Sequence, residues 1–172
     1  MNQIFKASAL AAAVILPFSA LATPAPGESE ITLSGGGGSD KDFDNNVVSF
    51  QASWGKYLSE QSLWGVRQTL NISDSEGEST NFDGSTRLFY DYHFGSGNTR
   101  PFIGVSIGGV YGENVDDTFM AGPEVGIKHW VHDKVFIVGL VEYHFLFDSA
   151  NDIDSRYDDG AFFYTLGVGY NF

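Results

Sequence analysis

Nine ionisable residues fall on the polar side of stretches whose alternate positions are apolar: Glu30, Arg67, Arg87, Asp91, His93, Glu124, Lys128, Glu142 and His144. Four carboxylates, three permanent cations and two histidines gathered in a narrow space have two chemical uses. They cancel one another as buried ion pairs, because a buried charge needs a partner, or they line an ion path, as rings of charge do in pores. Narrow interiors are filled by side chains, so the first expectation is a salt-bridged plug. A second acidic group, Asp148, Asp152, Asp154 and Asp158, lies in the segment from Asp148 to Asp159. It lacks the glycine at the sixth place and the glutamate at the twelfth that a calcium-binding EF-hand loop requires. It reads first as a solvated loop and only weakly as a metal site; no resident metal or other cofactor is expected.

What positions the first group is a strict alternation. Between Gly160 and Phe172, one set of alternate residues is Phe162, Tyr164, Leu166, Val168, Tyr170 and Phe172, and the other is mostly small or polar. Period two over such a length means a β-strand with two different faces. The pattern recurs along the chain. Strands are predicted over 30–38, 47–55, 63–72, 86–94, 102–111, 119–131, 135–147 and 160–172, with a bulge at Pro123, which lacks a ladder donor. Each is long enough to cross a bilayer, which takes a tilted strand of about 9–11 residues.

Composition agrees. Aromatics are 15% of the residues and glycine numbers 21, a mix for strands and tight turns. With no cysteine, disulfides and thiolate metal sites are excluded. A net charge of −13 argues against a nucleic-acid partner. Met1 to Ala22 has Lys6, an apolar run and Ala20-Leu21-Ala22, as a cleaved secretory signal has. The expected domains are therefore a signal peptide, 1–22, and one all-β domain, 23–172.

The predicted connections alternate in length. Those after strands two, four and six are short. Those after strands one, three, five and seven (Ser39 to Asn46, Ser73 to Ser85, Gly112 to Thr118, Asp148 to Asp159) are long and carry fifteen of the 22 acids. Short turns at one end and long loops at the other are the pattern of outer-membrane barrels. The large apolar set exceeds what an eight-stranded barrel can hold inside, so it is expected outside, against lipid. Trp54, Trp64 and Trp130 lie next to the short turns and, with Tyr57, Phe94, Phe102 and Phe172, are expected to form an aromatic girdle there.

These features together resemble the OmpA/OmpX-like small outer-membrane β-barrels of Gram-negative bacteria. The resemblance implies an eight-stranded antiparallel up-and-down transmembrane barrel in the cell outer membrane, exported through the periplasm. It implies that Tyr164, Leu166, Val168, Tyr170 and Phe172 form the signal read by the barrel-insertion machinery. Expected partners are outer-membrane lipid and lipopolysaccharide, with divalent cations bridging to the acidic loops. Some eight-stranded barrels are lipid A-modifying enzymes, and one deacylase places histidine and serine two apart near the end of strand seven. Here Tyr143-His144-Phe145-Leu146 supplies the histidine and no serine, so no enzymatic activity is expected. The function expected is structural or surface-interactive, in membrane integrity or adhesion through acidic loops; the alternative is a low-conductance, porin-like channel through the charged interior.

Overall fold

A computed structural model describes residues 24–39, 45–75, 81–112, 115–147 and 161–172. The expected signal segment, the Asp148–Asp158 group and most of the acidic connections lie outside these residues. Eight strands follow one another: β1 (Ser29–Ser39), β2 (Asn45–Tyr57), β3 (Ser62–Ser75), β4 (Asn81–His93), β5 (Thr99–Gly112), β6 (Val115–Trp130), β7 (Val135–Phe147) and β8 (Ala161–Asn171). Each pairs antiparallel with the next, and β8 pairs with β1, which closes the barrel. Closure leaves no strand edge unpaired, the one arrangement in which a sheet needs neither water nor a partner for its backbone.

The seam between β1 and β8 is short. It runs from Glu30↔Asn171 to Gly35↔Leu166, whereas β2 and β3 stay paired from Asn45↔Ser75 to Tyr57↔Leu63.

Two expectations about strand ends are corrected. The stretch Gly112 to Thr118 is nearly all strand, and only residues 113–114 separate β5 from β6. Likewise β3 runs on to Ser75 and β4 begins at Asn81. Polar and acidic residues had marked these stretches as loops, but backbone pairing does not require an apolar face. Pro123 forms no bulge. It pairs in register with Val105, and the register shift lies instead between Val110 and Gly112. On the β7 side, pairing lapses at Gly122 and Pro123 and resumes without offset, from Ala121↔Phe145 to Glu124↔Glu142. The proline removes a donor without adding a residue.

The two faces separate as the alternation requires. Leu33, Phe50, Leu88, Val105 and Tyr164 are more than half exposed on the outside, and so is the rest of the apolar set in large part. Inside, Arg87, Asp91, Glu142 and Lys128 are buried. Trp54, Trp64, Phe94 and Phe172 face outward, and the two tryptophans meet edge to face at 6.2 Å. Trp130, Tyr57 and Phe102, expected beside them, do not face outward: all three are buried in the interior. Their parity explains the correction, since Trp130 is two residues from Lys128, Tyr57 four from Ser53, and Phe102 two from Gly104. Trp130 donates from Nε1 to Asn171 Oδ1 at 3.1 Å and packs on Phe136 at 5.3 Å.

Large interior residues are seated over interior glycines. A Cβ on Gly65 would stand 2.7 Å from the Phe89 ring, and one on Gly55 2.8 Å from Leu63. Gly126 and Gly169 lie in the same way beneath Phe102 and Phe136. Gly126→Ala is therefore expected to lower unfolding stability by about 1–3 kcal/mol through overpacking. Gly139→Ala, whose Cβ would find its nearest atom 3.9 Å away, is expected to be near neutral. Reversible urea titration of both variants in micelles tests the contrast.

Candidate functional site: the charged interior

The interior is built in tiers, each by residues of equal parity on different strands. At the short-turn end, Lys128 of β6 donates from Nζ to both carboxylate oxygens of Glu30 on β1, at 2.7 and 2.9 Å. The Tyr57 hydroxyl donates to the same carboxylate at 2.8 Å, and Thr32 Oγ1 does so at 3.4 Å. The ammonium also lies 5.0 Å from the Phe136 ring centre and 5.7 Å from that of Phe102. Below it, Arg100 donates to the carbonyls of Gly97 and Glu60 and covers Trp130 at 5.3 Å. Its neighbours in sequence, Gly95 to Asn98 and Pro101, suggest a turn at Arg100. Its signal was its parity with Phe102 and Gly104.

Half-way up, Arg67 of β3 reaches across the barrel. Its NH1 and NH2 grip Glu124 of β6 at 2.7 and 3.1 Å, and NH1 also reaches Glu142 of β7 at 2.7 Å. The guanidinium rests on the Phe89 ring at 4.5 Å. Arg87 of β4 meets the same oxygen of Glu142, and its other amino group donates to Thr69 at 3.0 Å and Gln51 at 3.2 Å. Arg87 NH1 also lies 2.6 Å from His144 Nε2. The same Nε2 lies 3.5 Å from Glu142 Oε1. The His144 ring stacks on Phe163 at 4.7 Å.

Seven of the nine residues expected to interact therefore form ion pairs or hydrogen bonds with one another: Glu30 with Lys128, and Arg67, Arg87, Glu124, Glu142 and His144 in a second cluster. His93 joins neither. Its Nδ1 donates to the Gln61 carbonyl at 3.2 Å, and its ring packs between Phe102 and Tyr57. Asp91 is buried with Oδ1 lacking a hydrogen-bond partner. It lines, with Lys128, Arg67, Glu30, Thr32 and Ser53, a cavity of about 20 Å³ between the tiers. That is room for about one water molecule. Gln51, Thr69 and Tyr57 were not anticipated as partners; Thr69 shares the parity of Arg67, and Gln51 and Tyr57 share that of Ser53, which pairs with Arg67.

Chemically this arrangement ties strands to one another across the interior. Glu142 joins two guanidiniums from two other strands, and no nucleophile stands beside His144 among its described partners. Among the described residues, no group of three metal-binding side chains occurs. Among the same residues, no helix is long and apolar enough to cross a membrane, which says nothing of a barrel that crosses with strands.

Among solved structures, the chain is similar to outer membrane protein H (OprH) from P. aeruginosa, determined in DHPC micelles. The identity is 21%, the TM-score is 0.57, and the match covers 85% of this chain and 99% of that one. The two share the fold. A de novo designed transmembrane β-barrel matches at 13% identity and a TM-score of 0.46, over 86% of this chain and 97% of the design. No family model matches the chain, and neither does any curated protein.

Truncating one member of the cluster leaves the others uncompensated. Arg67→Met is expected to cost about 3–5 kcal/mol of unfolding stability, because Glu124 and Glu142 both lose a buried cation. Lys56→Met, at an exposed site, is expected to change it by less than about 0.5 kcal/mol. Urea midpoints of the two refolded variants check the difference.

Proposed function

We propose that this chain is a small outer-membrane β-barrel protein of the OmpA/OmpX-like kind, with a structural or surface-interactive role in membrane integrity or adhesion. The observation that carries the reading is the pairing of an apolar outer wall with an interior closed by ion pairs. A wall of half-exposed leucine, isoleucine, valine and aromatic residues suits hydrocarbon rather than water. An interior in which Arg67, Arg87, Glu124 and Glu142 bind one another suits a plug. Surface activity then falls to the acidic connections, where divalent cations would bridge carboxylates to lipopolysaccharide phosphates. The outward row Tyr164, Leu166, Val168, Tyr170 and Phe172 on β8 would be read by the insertion machinery after export. His144 is engaged by Arg87 and Phe163 inside the barrel, which favours a role other than catalysis.

A second reading, a low-conductance channel, draws on one specific feature. Arg87 already has alternative acceptors in Gln51 and Thr69, so its link to Glu142 could exchange without stranding the cation. Single-channel recording of the refolded protein in a planar bilayer separates the two. A silent membrane, with insertion confirmed by protease protection, is expected for the plug. Discrete openings that grow in Glu124→Gln or Arg87→Gln would establish the channel.

A further inference from the structure

The outer wall carries a trough. On β5, β6 and β7 the outward side chains Ile103, Val105, Pro123, Val125 and Val141 are short, while Tyr90 and Tyr92 stand on β4, and Tyr143 and Phe162 on β7 and β8. Register places them in adjacent rows: Tyr92 beside Ile103, Tyr90 beside Val105, Val105 beside Pro123, and Tyr143 beside Phe162. The result is an aliphatic floor between aromatic walls, with Gly104 behind it adding no side chain. The groove measures about 570 Å³, within the range of roughly 300–1,000 Å³ seen for small-molecule pockets.

Both walls are fixed without a ligand. The Tyr90 hydroxyl donates to Ser62 Oγ and that of Tyr92 to Gln61 Oε1, each at 3.0 Å. Tyr143 meets Phe145 and Phe162 edge to face, at 4.8 and 4.7 Å. A flexible chain settling here would give up its own freedom and little of the protein's.

We propose that the trough holds an acyl chain of a phospholipid from the leaflet on the short-turn side. The proposal rests on the membrane reading above. The floor belongs to the outward apolar band: Ile103, Val105 and Val125 are 54%, 59% and 52% exposed. Hydrocarbon is the matching ligand. The source follows from the two ends. Tyr90 and Tyr92 turn their hydroxyls to Gln61 and Ser62 beside the 58–61 turn, which sets the polar edge of the groove there, as tyrosines do at a membrane interface. The acidic connections join the strand ends away from this edge, so a lipid whose headgroup sits at the tyrosine edge belongs to the short-turn leaflet.

The test compares the wild-type chain with Val105→Trp/Val125→Trp, which fills the trough. Both are reconstituted into phosphatidylethanolamine vesicles containing lipopolysaccharide, extracted into mild detergent and weighed by native mass spectrometry. The wild type is expected to retain a single phospholipid and the variant none. Equal retention, retention of lipopolysaccharide in its place, or a dimer without lipid would overturn the proposal. Failure of the wild type to insert into the vesicles would instead overturn the membrane reading beneath it. Should the variant fail to fold, nuclear Overhauser effects on the wild type decide. Acyl-chain contacts concentrated on the methyl groups of Ile103, Val105 and Val125 support the trough. Contacts equally strong at Leu33 and Leu88 overturn it.

Discussion

Arg67 bound to Glu124 and Glu142 is the contact on which the rest of the molecule turns. A closed sheet of eight strands satisfies its backbone but leaves each side chain only two places to go. With much of the outside given over to large apolar groups, the charges at inward positions are tolerable only with a partner. Partners of opposite sign stand on different strands, so each pairing is also a tie across the barrel. Arg67 joins β3 to β6 and β7, Arg87 joins β4 to β7, and Lys128 joins β6 to β1. The electrostatic requirement and the mechanical one are met by the same bonds.

Packing supplies what the charges do not. The short-turn end is filled by Phe102, Trp130, Phe136, Val138 and Leu140, with Tyr57, Leu63 and Phe89 as a second cluster. These bulky groups fit because Gly55, Gly65, Gly126 and Gly169 face them. The interior glycines are thus half of a set of matched shapes, and the abundance of glycine in this chain belongs to its packing as much as to its turns.

Much of this was legible in the sequence. Alternation located all eight strands and put each charged candidate on the inner face, because period two leaves no freedom in which way a side chain points. It located 135–147 to the residue. What alternation cannot carry is distance across the barrel: that Arg67 would find Glu124 fifty-seven positions away, while Asp91 Oδ1 would be left without a hydrogen bond, depends on stagger. Trp130, Tyr57 and Phe102 were misplaced for a different reason. Proximity to a turn suggests the interface, but parity sets the face. The connections were misjudged because acidity marks solvent, and a strand in solvent remains a strand. Arg100 was passed over because it sits beside Pro101 at a strand's beginning, where turn and strand signals overlap.

The brief seam between β1 and β8 gives Glu30 a particular standing. It is the first β1 residue paired with β8, opposite Asn171, and its carboxylate is held from across the barrel by Lys128 and from β2 by Tyr57. The two strands that meet there lie at opposite ends of the chain, so theirs is the junction with the longest loop to close and the fewest rungs to hold it. Glu30 works there as a latch: a bolt thrown through the middle of the cylinder secures the one joint that the ladder itself secures least.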